Sequence, residues 1–410
     1  MNVLVLNHTA QVGGASKSLT IQLSILSTLG FNIIILTPPG PLCSDWEKMG
    51  HEVIYWKPPI CIWFGKPVYS SGLFEFKPGL FLSLLFLPMR IISAIMILRG
   101  ILSDNRIKYI YINTLILFPL GVYIKYINNK FKFQVIWHIR ELINKDLFYP
   151  IFKFIQFSVH TSSSAILAIT SNEAEMFRHT GKVKILHNVP SSDQLPSMES
   201  ITTEKRVFMA CAFLPGKGIP LFFKIANIVK EHSNDVQFFL FTNRPVPLGK
   251  IDKITWWIFS RINDAAKIIT KSSWQLENCI LDKNINIIFD KHLNLSDYKK
   301  CRIYLRADES GCPWGRDIIE AMSVGVPIVA TGSNEEFIIN GETGFLVPSQ
   351  DPNVMAERII SLLNDTELHQ FMSNNAYRRS QELFSLEKYK DVVRNIFKVD
   401  NGFNNTHSIV

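Results

Sequence analysis

The chain has 410 residues, of which 47% are hydrophobic and 19% charged, with a formal net charge of +8. That length exceeds one ordinary core and implies two domains of about 200 residues each, while the composition excludes a disordered chain. Six cysteines at 43, 61, 211, 279, 301 and 312 show no CxxC or zinc-type spacing, which argues against a disulfide framework and for a reduced, cytosolic protein. The opening MNVLVLNHTA lacks a basic segment followed by a long apolar one, so it reads as a first strand and not a signal peptide.

NVLVLNH (2–8) is followed by VGGASKSLTIQLSILSTLG, a glycine turn opening a helix. The next strands are FNIIILTP (31–38), EVIYW (52–56), KYIYINT (108–114), FQVIWHI (133–139), AILAITS (165–171) and VKILHNV (183–189), with helical stretches between them. Residues 190–205, polar with two prolines and no periodicity, form the best linker in the chain. The pattern then restarts with RVFMACAFL (206–214), a helix near 219–232, VQFFLFT (236–242), INIIFD (285–290), RIYLRA (302–307), VPIVAT (326–331) and GFLVP (344–348). The stretch 244–283 fits this rhythm poorly and reads as an insertion with helical content. After Asp351 the chain reads as helical to about 398, with a frayed tail. Alternating strands and helices imply α/β architecture with two doubly wound, Rossmann-like parallel sheets, which bind ligands at the carboxyl ends of their strands. The expected domains are 1–190 and 191–375, with a helix at 376–400 that could return to the first.

Charge is uneven. Residues 1–190 hold 18 Lys+Arg against 9 Asp+Glu, and within 57–132 ten basic residues face only Glu75 and Asp104. Interleaved aromatic and apolar residues make this surface suited to anionic lipid headgroups. No recognised nucleic-acid motif accompanies the charge. The apolar run at 79–89 is too short to span a bilayer; it reads as a core helix or as one lying in the membrane interface.

Residues 306–347 are the most informative stretch. Pro313, Trp314 and Gly315 precede a helical run in which Arg316 and Glu320 fall four apart, on one face. Free amides, a cation and a carboxylate at a helix start suit a ligand with phosphates and sugar hydroxyls. Arg316 and Glu320 could equally form an intrahelical pair, although Arg before Glu is the weaker order. Asp317 reads as a first-turn acid favoured by the helix dipole. Gly13 and Gly14 allow close approach of a phosphate or sugar, but a plain strand–helix turn explains them as well. Lys217-Gly218 follows the first strand of the second half, where a lysine could reach a diphosphate. His138 and Glu141 lie at a strand end in the first half. Asp308, Glu309 and Ser310 are too generic a set to assign a metal.

These pieces, in this order, resemble glycosyltransferase family 4, whose members have the GT-B fold: two Rossmann-like domains facing across a cleft. EAMSVGVPIVAT and NEEFIINGETGFLVP carry the likeness, with GGASKSL, HNV at 187–189 and KG at 217–218 as weaker matches. The resemblance implies that Glu320 holds the ribose hydroxyls, that Lys217 neutralises the donor diphosphate and that Gly14 belongs to a glycine loop facing it. It implies that His138 contacts the donor sugar near the reacting carbon, and it places Asn334, Glu335 and Thr343 in donor-domain loops. The chain departs from the family twice. Cys312 occupies the position of the first glutamate of the pair, eight residues before Glu320. The arginine expected shortly before Lys217 is missing, with Ala212 and Phe213 in that region; Arg316 is a candidate replacement, and Glu309 could swing toward the vacant carboxylate position.

The implied reaction is transfer of a sugar, with retention, from a nucleotide-diphosphate sugar (UDP- or GDP-linked) to a hydroxyl of a lipid-linked or polysaccharide acceptor. Neither metal nor cofactor is expected. Contact with an anionic membrane at its inner face, in cell-envelope glycan assembly, follows from the basic surface together with the resemblance. Cys312 and the missing arginine also fit a catalytically silent, membrane-associated partner subunit; a nucleotide-sugar epimerase or a phosphorylase is a further enzyme on the same fold.

Overall fold

The computed structural model describes residues 1–59, 87–104, 106–142, 149–191, 202–213, 216–243, 285–291 and 293–398. The 244–283 stretch, most of the 190–205 linker, residues 79–86 of the apolar run and the tail beyond 398 lie outside them. The described residues fall into two compact units: those up to Val189 together with those from Leu386 onward, and those within Pro190–Ser385.

The first unit contains β1 (Asn2–Leu6), β2 (Asn32–Thr37), β3 (Glu52–Tyr55), β4 (Ile107–Ile112), β5 (Gln134–Ile139), β6 (Ala165–Ala168) and β7 (Val183–Ile185). They form one parallel sheet in the order β3-β2-β1-β4-β5-β6-β7. Helices α1 (Gly14–Thr28), α2 (Cys43–Lys48), α3 (Leu87–Asp104), α4 (Gly121–Phe131), α5 (Tyr149–Ser162) and α6 (Ser171–Glu175) connect the strands. Leu4 and Leu6 enter one core cluster and Val3 and Val5 another, so β1 is buried on both faces. This explains why its sequence is a continuous apolar run and not an alternation.

The second unit contains β8 (Arg206–Ala210), β9 (Gln237–Thr242), β10 (Asn286–Phe289), β11 (Ile303–Arg306), β12 (Ile328–Thr331) and β13 (Gly344–Val347). All pair in parallel, in the order β10-β9-β8-β11-β12-β13. Helices α7 (Ile219–His232), α8 (Leu295–Tyr298), α9 (Arg316–Ser323), α10 (Pro352–Asn364) and α11 (Thr366–Leu383) cover it, and α12 (Leu386–Ile396) follows. The single helical stretch expected after Asp351 is three helices. The carboxylates of Asp351 and Asp365 accept from the backbone N–H groups of Asn353 and Leu368, starting α10 and α11 afresh.

The domain boundary expected at 375 differs from the one found. α11 packs on α9 within the second unit, and only from Leu386 does the chain belong to the first unit. There Tyr389, Val393 and Phe397 join the core cluster of Val3 and Val5. The hydroxyl of Tyr389 bonds the side chain of Gln22, and that of Tyr109 donates to the carbonyl of Phe397.

In both sheets the strand order reverses once, between β1 and β4 and between β8 and β11. The crevice outside the carboxyl ends of two such strands is where open α/β sheets hold ligands. The fold therefore marks two places for chemistry, one in each unit.

Candidate donor and sugar sites at the strand ends

At the second switch point, the loop after β8 meets the end of β11. Gly218 has φ +74, and a Cβ on it would sit 1.6 Å from the carbonyl oxygen of Ala307. The left-handed turn and the close approach both require glycine, and together they set Lys217 beside Asp308. Lys217 Nζ lies 2.9 Å from Asp308 Oδ2. Burial pushes the Asp308 carboxyl up, but Arg306, Lys217 and Ser310 outweigh it and hold the group below the usual carboxylate range. Lys217 thus waits on a carboxylate, and a diphosphate would have to compete with Asp308 for it.

Arg306, at the end of β11, organises the helix start. Its Nη1 reaches both oxygens of Asp317, at 2.9 and 2.7 Å, and its Nε donates to the Cys312 carbonyl at 2.9 Å. Tyr304 also donates to Asp317, at 3.0 Å. Asp317 is therefore a structural acid, as its first-turn position implied. Arg306 Nη2 lies 3.6 Å from Asp308, so an arginine does stand in the lysine's cluster. It comes from β11 and not from the segment before Lys217, a placement that spacing along the chain does not reveal.

α9 begins at Gly315, which has no side-chain cap, leaving the first amides of the helix to be satisfied from outside. Glu320, one turn on, is buried. Arg316 Nε lies 3.1 Å from Glu320 Oε1 as a charge contact; Arg316 Nη2 donates to Ser191 Oγ at 2.8 Å, and Ser191 donates to the same Glu320 oxygen at 2.6 Å. Arg316 is accordingly held on Glu320, while Arg306 shares Asp308 with Lys217. Ser191, the first described linker residue after Pro190, touches both Glu320 and Arg316 and carries no motif.

Around α9 the other expected positions divide. Trp314 is buried, and its Nε1 has no hydrogen-bond partner among the described residues. Cys312 is buried with its thiol near the Ser310 carbonyl. Glu309 is half-buried, and burial followed by the nearby Asp308 pushes its carboxyl up. Asn334 accepts from the backbone of Glu336, and Glu335 is exposed with its carbonyl taken by Arg379. Thr343 is buried, its hydroxyl accepting from Ile339 N at 2.8 Å; it builds the turn before β13.

At the first switch point, Asn7 and Asn113 extend β1 and β4. Asn113 Nδ2 donates to Asn7 Oδ1 at 3.3 Å, and Arg140 Nε donates to Asn113 Oδ1 at 2.9 Å. Arg140 Nη1 donates to Asn188 at 2.7 Å, and Nη2 approaches His138 Nδ1 at 3.3 Å. Glu141 is buried and accepts from Thr114 Oγ1 at 2.6 Å and Leu115 N at 2.9 Å, so it holds the loop after β4. Burial pushes its carboxyl up against those bonds.

His138 is fully buried on β5, and its Nδ1 faces the hydroxyl of Tyr111. Burial pushes the Tyr111 phenol up to about 12, so Tyr111 is protonated and donates. With two donors at Nδ1, the ring proton belongs on Nε2. That Nε2 is buried and has no hydrogen-bond partner among the described residues. Burial and then Arg140 drive the His138 imidazole well below its usual range, so it stays neutral. The result is a fixed N–H donor, not an acid. Gly13 caps α1 in extended conformation without a side-chain bond, and a Cβ there would meet nothing within 4 Å. Neither fact distinguishes a ligand loop from a plain strand–helix turn.

His8, just past Asn7, is another imidazole whose Nδ1 is buried and lacks a partner among the described residues. Burial lowers it to about 4. In the unfolded chain it takes a proton below about pH 6.5, whereas folded it does not until about 4. Stability is therefore full above 6.5 and falls by about 3 kcal/mol as pH drops to 4. Urea unfolding of wild type and His8→Gln across this range checks it: the variant should lose about that much of the pH dependence. Parallel curves would disprove the burial argument.

The fold is of the GT-B class. Anabaena HepE in complex with UDP and glucose superposes with a TM-score of 0.67 over 97% of this chain and 99% of that one, at 15% identity. Staphylococcus aureus TarM in complex with UDP gives 0.67 over 97% and 99%, at 14% identity. Residues 271–379 match the family described as "Glycosyl transferases group 1". In sequence the chain is similar to the capsular polysaccharide biosynthesis glycosyltransferase CapM of S. aureus, at 30% identity over 131 residues. It is also similar to the N-acetyl-alpha-D-glucosaminyl L-malate synthase of Bacillus anthracis, at 37% identity over 91 residues. These matches span 29% and 20% of this chain, and 34% and 24% of the two relatives.

Proposed function

We propose that the chain is a retaining glycosyltransferase of family 4. It moves a sugar from a nucleotide-diphosphate sugar, UDP- or GDP-linked, to a hydroxyl of a lipid-linked or polysaccharide acceptor. It does so without metal or cofactor, at the inner face of the cell membrane, in cell-envelope glycan synthesis. The observation that carries this reading is buried Glu320 on an uncapped helix at the second switch point, close in sequence to the strand end that holds Lys217 on Asp308. The names of the relatives point the same way: HepE was solved with UDP and glucose, and CapM is a capsular polysaccharide enzyme.

Each residue then has a task. The ribose hydroxyls donate to Glu320, loosening the Ser191 and Arg316 contacts. As the anomeric bond breaks, negative charge grows on the leaving diphosphate; Lys217 and the free amides at the start of α9 stabilise it. Arg306 keeps that helix start in place through Asp317. In the first unit, the Nε2–H of His138 is the fixed donor offered to a sugar hydroxyl; the donor phosphate takes the acceptor's proton.

Nucleoside diphosphate release and product anomeric configuration, followed by NMR with UDP- and GDP-sugars and a lipid-linked acceptor, test this reading. Transfer with retention is expected, and inversion would overturn the mechanism. Cys312 in place of the usual glutamate favours one second reading, a partner subunit that binds the donor silently; donor binding without turnover would select it.

A further inference from the structure

Three helices of the first unit share an outer surface that the site does not use. Leu98 of α3, Ile124 of α4 and Ile155 of α5 enter one core cluster on one face of the sheet, and the turn at Leu115–Leu120 contacts all three helices. Their outer faces are apolar where water-facing helices are normally charged. On α3, Met89, Ile92 and Met96 are 62%, 58% and 68% exposed, and their spacing places them on one stripe. Tyr126 on α4 and Phe157 on α5 are exposed as well.

Charge on these helices has one sign. Their sequences contain Arg90, Arg99, Lys125, Lys130 and Lys153, against Asp104 alone at the end of α3. Soluble surfaces intersperse both signs; large apolar side chains set among lysines and arginines fit a bilayer whose headgroups are anionic. Among the described residues no helix is long and apolar enough to cross a membrane, so this face would lie on the bilayer. Direction matters too. Each helix leads from a strand's carboxyl end back toward the next parallel strand, so Met89 and Ile92, in the first turns of α3, lie toward the sheet edge that carries Asn113 and His138.

We propose that this face docks on an anionic lipid surface, with Met89, Ile92 and Met96 entering the acyl boundary and Arg99, Lys125 and Lys130 meeting headgroup phosphates. The docking deepens the membrane-face reading above by naming the surface and its partner. It also brings the carboxyl edge of the first sheet near a lipid-linked acceptor.

Vesicle flotation tests it without any turnover. Wild type is expected to bind phosphatidylcholine–phosphatidylglycerol vesicles about tenfold or more tightly than phosphatidylcholine alone, and less tightly at high salt. A Met89→Ser, Ile92→Ser, Met96→Ser variant and an Arg99→Ala, Lys125→Ala, Lys130→Ala variant should each lose about tenfold in partitioning, with unchanged melting temperature and unchanged UDP-sugar binding. Undiminished flotation of the serine variant would overturn the proposal. So would a wild-type dimer that does not float and becomes monomeric in that variant, which would assign the face to a second copy. Flotation without any nucleotide-sugar turnover would leave the docking intact and remove the transferase reading; turnover without flotation would do the reverse.

Discussion

Lys217→Ala should lower kcat by about 10²- to 10³-fold, the usual loss when one preorganised donor to a developing oxyanion is removed. The fold should barely notice. Asp308, the present partner of Lys217, keeps Arg306 at 3.6 Å and Ser310 Oγ at 2.6 Å, so no buried carboxylate is stranded. The loss should fall on kcat more than on KM, because the charge that Lys217 meets grows as the bond breaks. Lys217→Arg should recover part of it. Steady-state kinetics with a UDP- or GDP-sugar decide the matter: a kcat within a few-fold of wild type would make Lys217 merely the salt-bridge partner of Asp308.

Arg306→Leu should do the opposite, acting first on stability. The guanidinium is largely buried and is held charged by Asp317 and Asp308 against the cost of burial. Removing it leaves Asp317 with Tyr304 alone among its described side-chain donors and leaves Asp308 with Lys217 and Ser310. Breaking a buried pair in this way costs about 3–5 kcal/mol, which in a unit of this size lowers the melting temperature by about 10 °C or more. The Arg306→Leu, Asp317→Leu double variant should regain part of that, since two apolar groups strand no charge. Calorimetry of the two variants and Asp317→Leu checks the coupling. An Arg306→Leu protein that melts within two or three degrees of wild type would show the network to be incidental.

The strands were legible because parallel strands covered on both faces must be short, apolar and bounded by turns. Twelve of the thirteen described strands lie within the expected segments, and β4 starts one residue before its own, at Ile107. Helix boundaries were less legible: at Asp365 a cap interrupts a pattern that reads as one continuous helix, and the 375 boundary inherited that error. Lys217-Gly218 and Glu320 stand where chain order implies, after β8 and on α9. Contacts made by folding were not legible. Arg306 looks like the end of a strand until β11 brings it to Asp317 and Asp308. Asn113 and Arg140 carry no motif, yet with Asn188 they build the bed on which His138 lies. Arg316, a candidate replacement cation, rests on Glu320, and only the sheet shows that Arg306 shares Asp308 with the lysine.

On the proposed function, Glu320 and the start of α9 form a nucleotide-sugar site. Thermal unfolding of wild type and Glu320→Gln in the presence of UDP-, GDP-, ADP- and CMP-sugars tests it most directly. A single nucleotide class should raise the melting temperature of wild type and leave that of Glu320→Gln unmoved. Equal stabilisation of both proteins, or no response to any donor, would contradict it.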